Sequence, residues 1–124
     1  CSGKVFYDLA DTRDKDKLIG VRLLRLEQLY PFPRKALREH LAETPQAEIV
    51  WCQEEPRNMG AWMFVREHIE NIMSDIGMKS ARLVYCGRKE SASPATGSAA
   101  RHRLEQDTLV QAALTKNLQD VAAE

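Results

Sequence analysis

The chain has 124 residues and a mass of 14.1 kDa, with 18 Lys+Arg against 18 Asp+Glu. That length fits one domain over residues 1–124, and 44% hydrophobic with 29% charged residues excludes a fibrous, collagen-like or disordered chain. Charge balances in each half, with ten of each sign in residues 1–62 and eight of each in 63–124, so no global field draws the chain to nucleic acid or to an anionic membrane.

Val5, Phe6 and Leu9 sit at helical spacing and predict a helix from about Lys4 to Arg13. A charged run from Asp11 to Lys17 follows and reads as a solvated helix end. Gly20 to Gln28 has the apolar density of a strand buried on at least one face. Pro31 and Pro33 break it, because prolines cannot sit in a central strand. Pro33 suits the first turn of a helix over Arg34 to Glu43, with Leu37 and Leu41 on one face. A second strand is predicted at Glu48 to Gln53, ending in a polar loop from Glu54 to Gly60. A helix from Ala61 to about Ser74 carries Trp62, Val65, Ile69, Ile72 and Met73 as an apolar stripe. A third strand covers Arg82 to Cys86. Beyond the small-residue loop Glu90 to Ser98, a last helix is predicted from Ser98 to Leu118, with Val110, Leu114 and Leu118 facing inward.

Alternation of helix and strand argues for a parallel-rich α/β sheet with helices on both faces. The order begins at a helix, so the strand expected before it is cut short, with Cys1 as its last residue. Together with the Cys1 start, this predicts a piece of a longer polypeptide. No run approaches the ~18 apolar residues of a membrane span, and no signal-peptide pattern opens the chain. The cysteines Cys1, Cys52 and Cys86 are odd in number and lack zinc-ligand spacing, which points to a reducing, cytoplasm-like compartment.

Motifs for dinucleotide binding, phosphate-loop chemistry, serine hydrolysis and zinc peptidases are absent from the sequence. His40, His68 and His102 each fall in a predicted helix without a partner motif. Glu54 and Glu55 stand at a strand end, where α/β sheets collect binding residues; they could bind a cation or a basic partner, or pair with Arg57 or Arg66. Tyr30, Phe32, Trp51 and Trp62 read as core or interface aromatics. Arg82, Arg88, Lys89, Arg101 and Arg103 face only Glu90, and between them lie the hydroxyls of Ser91, Ser93, Thr96 and Ser98 before a helix start. Arg88, Ser91, Ser93, Thr96 and Arg101 are therefore candidates to hold a phosphate or carboxylate, against the alternative of a capped helix with a basic surface.

Several phrases in fixed order carry a resemblance: Cys1-Ser2-Gly3-Lys4, Glu27 through Pro33, Trp51-Cys52-Gln53-Glu54-Glu55-Pro56 through Trp62, Gly87-Arg88, Ser91-Ala92-Ser93-Pro94-Ala95-Thr96-Gly97, and His102 with Glu105-Gln106. In this spacing the chain resembles the C-terminal domain of the decarboxylating component of 2-oxoglutarate dehydrogenase, a thiamine-diphosphate family. The resemblance implies a transketolase-like C-terminal domain. Such a domain is a three-layer α/β/α sandwich with a mostly parallel sheet of about five strands, one of them a short strand near Lys89 to Ser93. It implies a parent enzyme of the tricarboxylic acid cycle that decarboxylates 2-oxoglutarate on thiamine diphosphate and Mg bound by other domains. That enzyme is a homodimer and works with dihydrolipoyl succinyltransferase and dihydrolipoyl dehydrogenase, in the cytoplasm or, in a eukaryote, the mitochondrial matrix. For this chain it implies no catalytic residue and no bound cofactor, and a supporting role at the dimer through Tyr30, Phe32, Glu54, Glu55 and Trp62. Two rival readings are a regulatory nucleotide or acetyl-CoA module centred on Arg88, and the equivalent domain of a pyruvate or branched-chain 2-oxo acid decarboxylase. The Trp51 to Pro56 segment favours the 2-oxoglutarate branch.

Overall fold

A computed structural model describes residues 1–95 and 97–115. Helix α1 spans Val5–Lys15 and buries Val5 and Leu9, four residues apart on one face. Asp8 in its first turn and Arg13 and Lys15 in its last complement the helix dipole. Its end is closed by Lys17 in the left-handed region at φ 53°. There Leu18 N donates to the Arg13 carbonyl and Lys17 N to that of Asp14, which satisfies carbonyls the helix leaves orphaned. Helix α2, Arg34–Ala42, begins directly after Pro33 and buries Leu41. The Tyr30–Pro31 peptide before it is cis.

Strand β1 covers Val50–Pro56 and strand β2 covers Val84–Arg88. They run parallel, with Val50, Trp51 and Cys52 opposite Val84, Tyr85 and Cys86, and a register irregularity before Pro56 meets Arg88. Between them helix α3, Trp62–Asp75, buries Trp62, Val65, Ile69, Ile72 and Met73. It stops at Gly77, whose φ of 68° lets Met78 N reach back to the Met73 carbonyl and Gly77 N to that of Ser74. Helix α4, Ala99–Leu114, starts at Ser98, whose hydroxyl accepts from Arg101 N. It buries Leu109, Val110 and Leu114.

Adjacent strand residues point to opposite faces, and the two apolar clusters divide on that rule. Trp51 joins Leu41, Trp62, Val65, Ile69, Ile72, Met73, Met78 and Leu83, the side covered by α2 and α3. Cys52 joins Val5, Leu9, Leu109, Val110 and Leu114, the side covered by α1 and α4. The expected α/β architecture with helices on both faces of a parallel pair is present.

Several expected elements differ. Gly20 to Gln28 forms no strand. Leu24 and Leu26 pack on the first cluster and Val21 and Leu23 on the second. The segment is thus partly buried toward both clusters, where burial on at least one face was expected, without a neighbouring strand to form a ladder. Its one backbone pairing is with Cys1, whose amine donates to the Leu24 carbonyl at 3.2 Å while Leu26 N donates to the Cys1 carbonyl at 2.8 Å. That is the hydrogen-bond pattern of a single parallel bridge. No strand forms from Lys89 to Ser93, where the chain bends instead. Among the described residues the sheet therefore has two strands, not three or five. Strand β1 extends to Pro56, past the expected end at Gln53. Leu118, the expected end of the last helix, lies outside the described residues. No helix among them is long and apolar enough to cross a membrane.

Leu41 is the sole fully buried residue of α2. Leu41→Ala is expected to lower the unfolding free energy by about 2–5 kcal/mol, read as a lower urea midpoint.

Candidate functional site

The carboxyl ends of β1 and β2 form a rim, and its organising side chain is Gln53. It is 2% exposed, and an amide so buried must have its polar atoms paired. Its Oε1 accepts from the Trp51 indole at 2.9 Å and from Trp62 N at 3.0 Å. Its Nε2 faces the carbonyls of Pro56 at 3.0 Å, Met59 at 2.8 Å and Glu55 at 3.2 Å. Two hydrogens serve three acceptors, so one bond is shared. Gln53 thus fixes the end of β1, the turn after it, and the first free N–H of α3. Gly60 sits at φ 68°, and a Cβ there would lie 3.0 Å from Glu55 Cβ and 3.1 Å from Gln53 Oε1. The Gln53-Glu54-Glu55-Pro56 to Gly60-Ala61-Trp62 phrase is therefore held by its own hydrogen bonds.

The loops after the two strands are tied together. Asn58 Nδ2 donates to the Ser91 carbonyl at 2.9 Å, and Ser91 N donates to Asn58 Oδ1 at 3.1 Å. Arg57 N donates to the Arg88 carbonyl at 3.1 Å. Above this clasp the Arg57 guanidinium lies 5.2 Å from the Tyr85 ring and 5.7 Å from the Trp62 ring, an attractive arrangement for a cation on π faces. Burial pushes the Tyr85 phenol up to about 12. Its hydroxyl donates to the Arg88 carbonyl at 2.7 Å.

The candidate anion-binding residues are brought together in part, and Arg88, Arg101, Ser91 and Ser93 each have an internal partner. Arg88, with its side chain 11% exposed, pairs through Nε with Glu105 Oε2 at 3.1 Å and donates to the Pro94 carbonyl at 3.0 Å. Arg101 pairs with the other oxygen of Glu105 at 3.2 Å. Ser91 Oγ accepts from Ser93 N, and Ser93 Oγ donates to the Ala95 carbonyl. Thr96 lies outside the described residues. An added anion here would compete with Glu105 for both arginines.

The candidate interface residues separate. Trp62 is buried inside the first cluster. Glu54 Oε1 accepts from Lys4 Nζ at 2.7 Å and from Gln106 Nε2 at 2.8 Å. The same Gln106 nitrogen donates to Asp8 at 2.8 Å, so Glu54 joins α1, β1 and α4 instead of facing outward. Lys4 is held above the ordinary ammonium range chiefly by this hydrogen bond. Glu55 is exposed. Phe32 stacks on His68 at 4.6 Å between ring centres, and Phe64 leans on the same imidazole at 4.9 Å. Tyr30 is 87%, Met63 69% and Phe64 44% exposed. A surface hollow of about 310 Å³ is lined by Met63, Arg66, Glu67, Glu70 and Asn71, all from α3.

Sequence reasoning placed Gln53, Asn58 and Glu105 inside recognisable phrases without giving them roles. A glutamine among β-forming residues, flanked by tryptophans on both sides, was the available signal for the hub. Nothing local marks Glu105 as the partner of Arg88, because 17 positions separate them.

The sequence model of the family described as "2-oxoglutarate dehydrogenase C-terminal" matches residues 1–114. The chain is 49% identical over 114 residues to a protein of Brucella anthropi named "2-oxoglutarate dehydrogenase E1 component", covering 92% of this chain and 11% of the relative. Proteins of the same name from Brucella ovis and Brucella canis match at the same identity and coverage. The chain thus spans about a ninth of the length of these curated relatives.

Gln53→Leu is expected to cost about 3–5 kcal/mol, because it strands two N–H donors and several carbonyls where one unpaired buried group costs about 1–3 kcal/mol. Urea unfolding measures it. The Tyr85 phenol ionises in the folded chain near 12 and in the unfolded chain near 10.0. Folding therefore favours the neutral form, and this contribution to stability is full below pH 10 and lost as pH rises from 10 to about 12. Melting temperature against alkaline pH, compared with Tyr85→Phe, should show a steeper fall in the parent chain.

Proposed function

This chain belongs to the 2-oxoglutarate dehydrogenase C-terminal family, and from that premise we propose that it acts as the C-terminal domain of a longer E1-type polypeptide. The whole enzyme would decarboxylate 2-oxoglutarate and pass the succinyl group to the lipoyl arm of a dihydrolipoyl succinyltransferase, with dihydrolipoyl dehydrogenase completing the complex. This domain would support the homodimer and border the active site, without a catalytic residue of its own. The carrying observation is the rim at the strand ends. Its conspicuous polar side chains, Gln53, Asn58, Arg88 and Glu105, are bonded to one another's loops and helices. Catalytic groups instead need to converge on a space that substrate can enter.

Thiamine diphosphate would supply the carbanion chemistry of the parent enzyme when bound. Among the described residues no three His, Cys, Asp or Glu side chains converge into a donor set, and no phosphate-binding Gly motif occurs in the sequence. The described residues offer no donor set that fits Mg or the diphosphate of the cofactor. The surface for association is the aromatic strip of Phe32, His68 and Phe64, with Tyr30 two residues away in sequence and Met63 beside Phe64. Exposed aromatic side chains are the common anchors of protein interfaces.

Two measurements separate the parts of this reading. The isolated chain, given 2-oxoglutarate, thiamine diphosphate and Mg, is expected to show no turnover; measurable decarboxylation would refute the supporting role. In the longer E1 polypeptide, Tyr30→Ser with Phe64→Ser is expected to raise the dimer dissociation constant by about tenfold or more, measured by sedimentation. An unchanged dimer would refute the interface alone.

A further inference from the structure

The three cysteines are free thiols, and Cys52 and Cys86 are fully buried. They are register partners on the parallel strands β1 and β2. Paired strands lie about 4.7–4.9 Å apart, inside the Cα separation of about 4.4–6.8 Å that a disulfide spans. Both side chains enter the layer under α4. Cys52 packs among Val5, Leu9, Leu109, Val110 and Leu114, and Cys86 Sγ stands 3.3 Å from the Leu109 carbonyl. The neighbouring Cys86 thiol and burial push the Cys52 thiol up, while the neighbouring Cys52 pushes that of Cys86 down. Cys1 touches the same cluster, with its own Sγ 3.6 Å from the Leu24 carbonyl.

We propose that Cys52 and Cys86 are a dithiol modification site, which a hydroperoxide closes to an intramolecular disulfide that fastens β1 to β2 beneath α4. The Cys86 sulfur attacks the O–O bond of hydrogen peroxide and becomes a sulfenic acid. The departing hydroxide takes the thiol proton and leaves as water. The Cys52 sulfur then attacks that sulfur, the S–S bond forms, and the released hydroxide takes the Cys52 proton as a second water. Two electrons pass from the thiol pair to the peroxide. At 3% and 1% exposure, the pair reacts when α4 lifts locally from the sheet, so closure is slower than oxidation of a surface thiol.

The test treats the chain with hydrogen peroxide, blocks remaining thiols, and maps peptides without reductant. The expected result is a drop from three free thiols to one, a loss of two hydrogens in intact mass, and a peptide linking Cys52 to Cys86. Leu109→Ala, which loosens α4, should speed closure by about tenfold if it raises the open population by that factor. In Cys52→Ala the sulfenic acid on Cys86 should persist and be trapped by dimedone. Oxidation confined to Cys1, a link between Cys1 and either other thiol, or direct passage to sulfinic acids without a Cys52–Cys86 link would each overturn the proposal. The wild-type map decides the matter even if the variants fail to fold.

Discussion

One buried amide sets the geometry from which the rest of the rim follows. Gln53 sits where β1 turns toward α3, and its two ends are not interchangeable. The oxygen meets two N–H donors and the nitrogen meets three carbonyls. A hydroxyl or a carboxylate could not serve both sets, since the first lacks the reach and the second lacks donors. Because the amide is out of water, each bond resists exchange with solvent, and a half-satisfied version of the network would be worse than none. With that turn fixed, Trp62 is delivered into the first cluster and Arg57 is left over its face. Asn58 arrives at the height of Ser91.

The rim that results holds itself closed. Asn58 imitates a strand partner for Ser91, offering a carbonyl and an N–H as a backbone would. Glu105 draws Arg88 onto α4, where it also pairs with Arg101 one turn earlier. Exposed ion pairs contribute little individually, but Arg88 is nearly buried, and it also holds the Pro94 carbonyl. The loop of small residues is thus anchored at Ser91, Pro94 and Ser98. The strand-end rim is thus held by bonds among its own loops and helices.

The helices were legible in the sequence because each buries a stripe at three- and four-residue spacing and ends on a local signal. Pro33 opens α2, Gly77 closes α3 and Ser98 caps α4. The parallel arrangement was legible from alternation alone. The lack of a strand at Gly20 to Gln28 was not, because partial burial is a property of side chains, whereas a ladder requires a neighbour that the sequence does not identify. Residue type alone did not tell where Glu54 and Trp62 would lie: Trp62 is buried in the first cluster and Glu54 meets Lys4 and Gln106. A carboxylate at a strand end looks the same in sequence whether it meets solvent or meets Lys4 and Gln106 from opposite ends of the chain. Tyr30, read as a core or interface aromatic, is 87% exposed.

The division of the interior into two clusters also sets an order of events during synthesis. The first cluster draws on residues from Leu24 to Tyr85, so everything it needs has emerged before the last helix is made. The second requires Val5 and Leu9 from the beginning and Leu109, Val110 and Leu114 from the end. Its polar counterpart joins Asp8 to Gln106 across 98 positions. The face of α1 must therefore wait, apolar side outward, while about a hundred residues are added at roughly 5–20 per second. Over those seconds the nascent domain is a finished half carrying an unprotected one, and α4 is the piece that ends its exposure to chaperones.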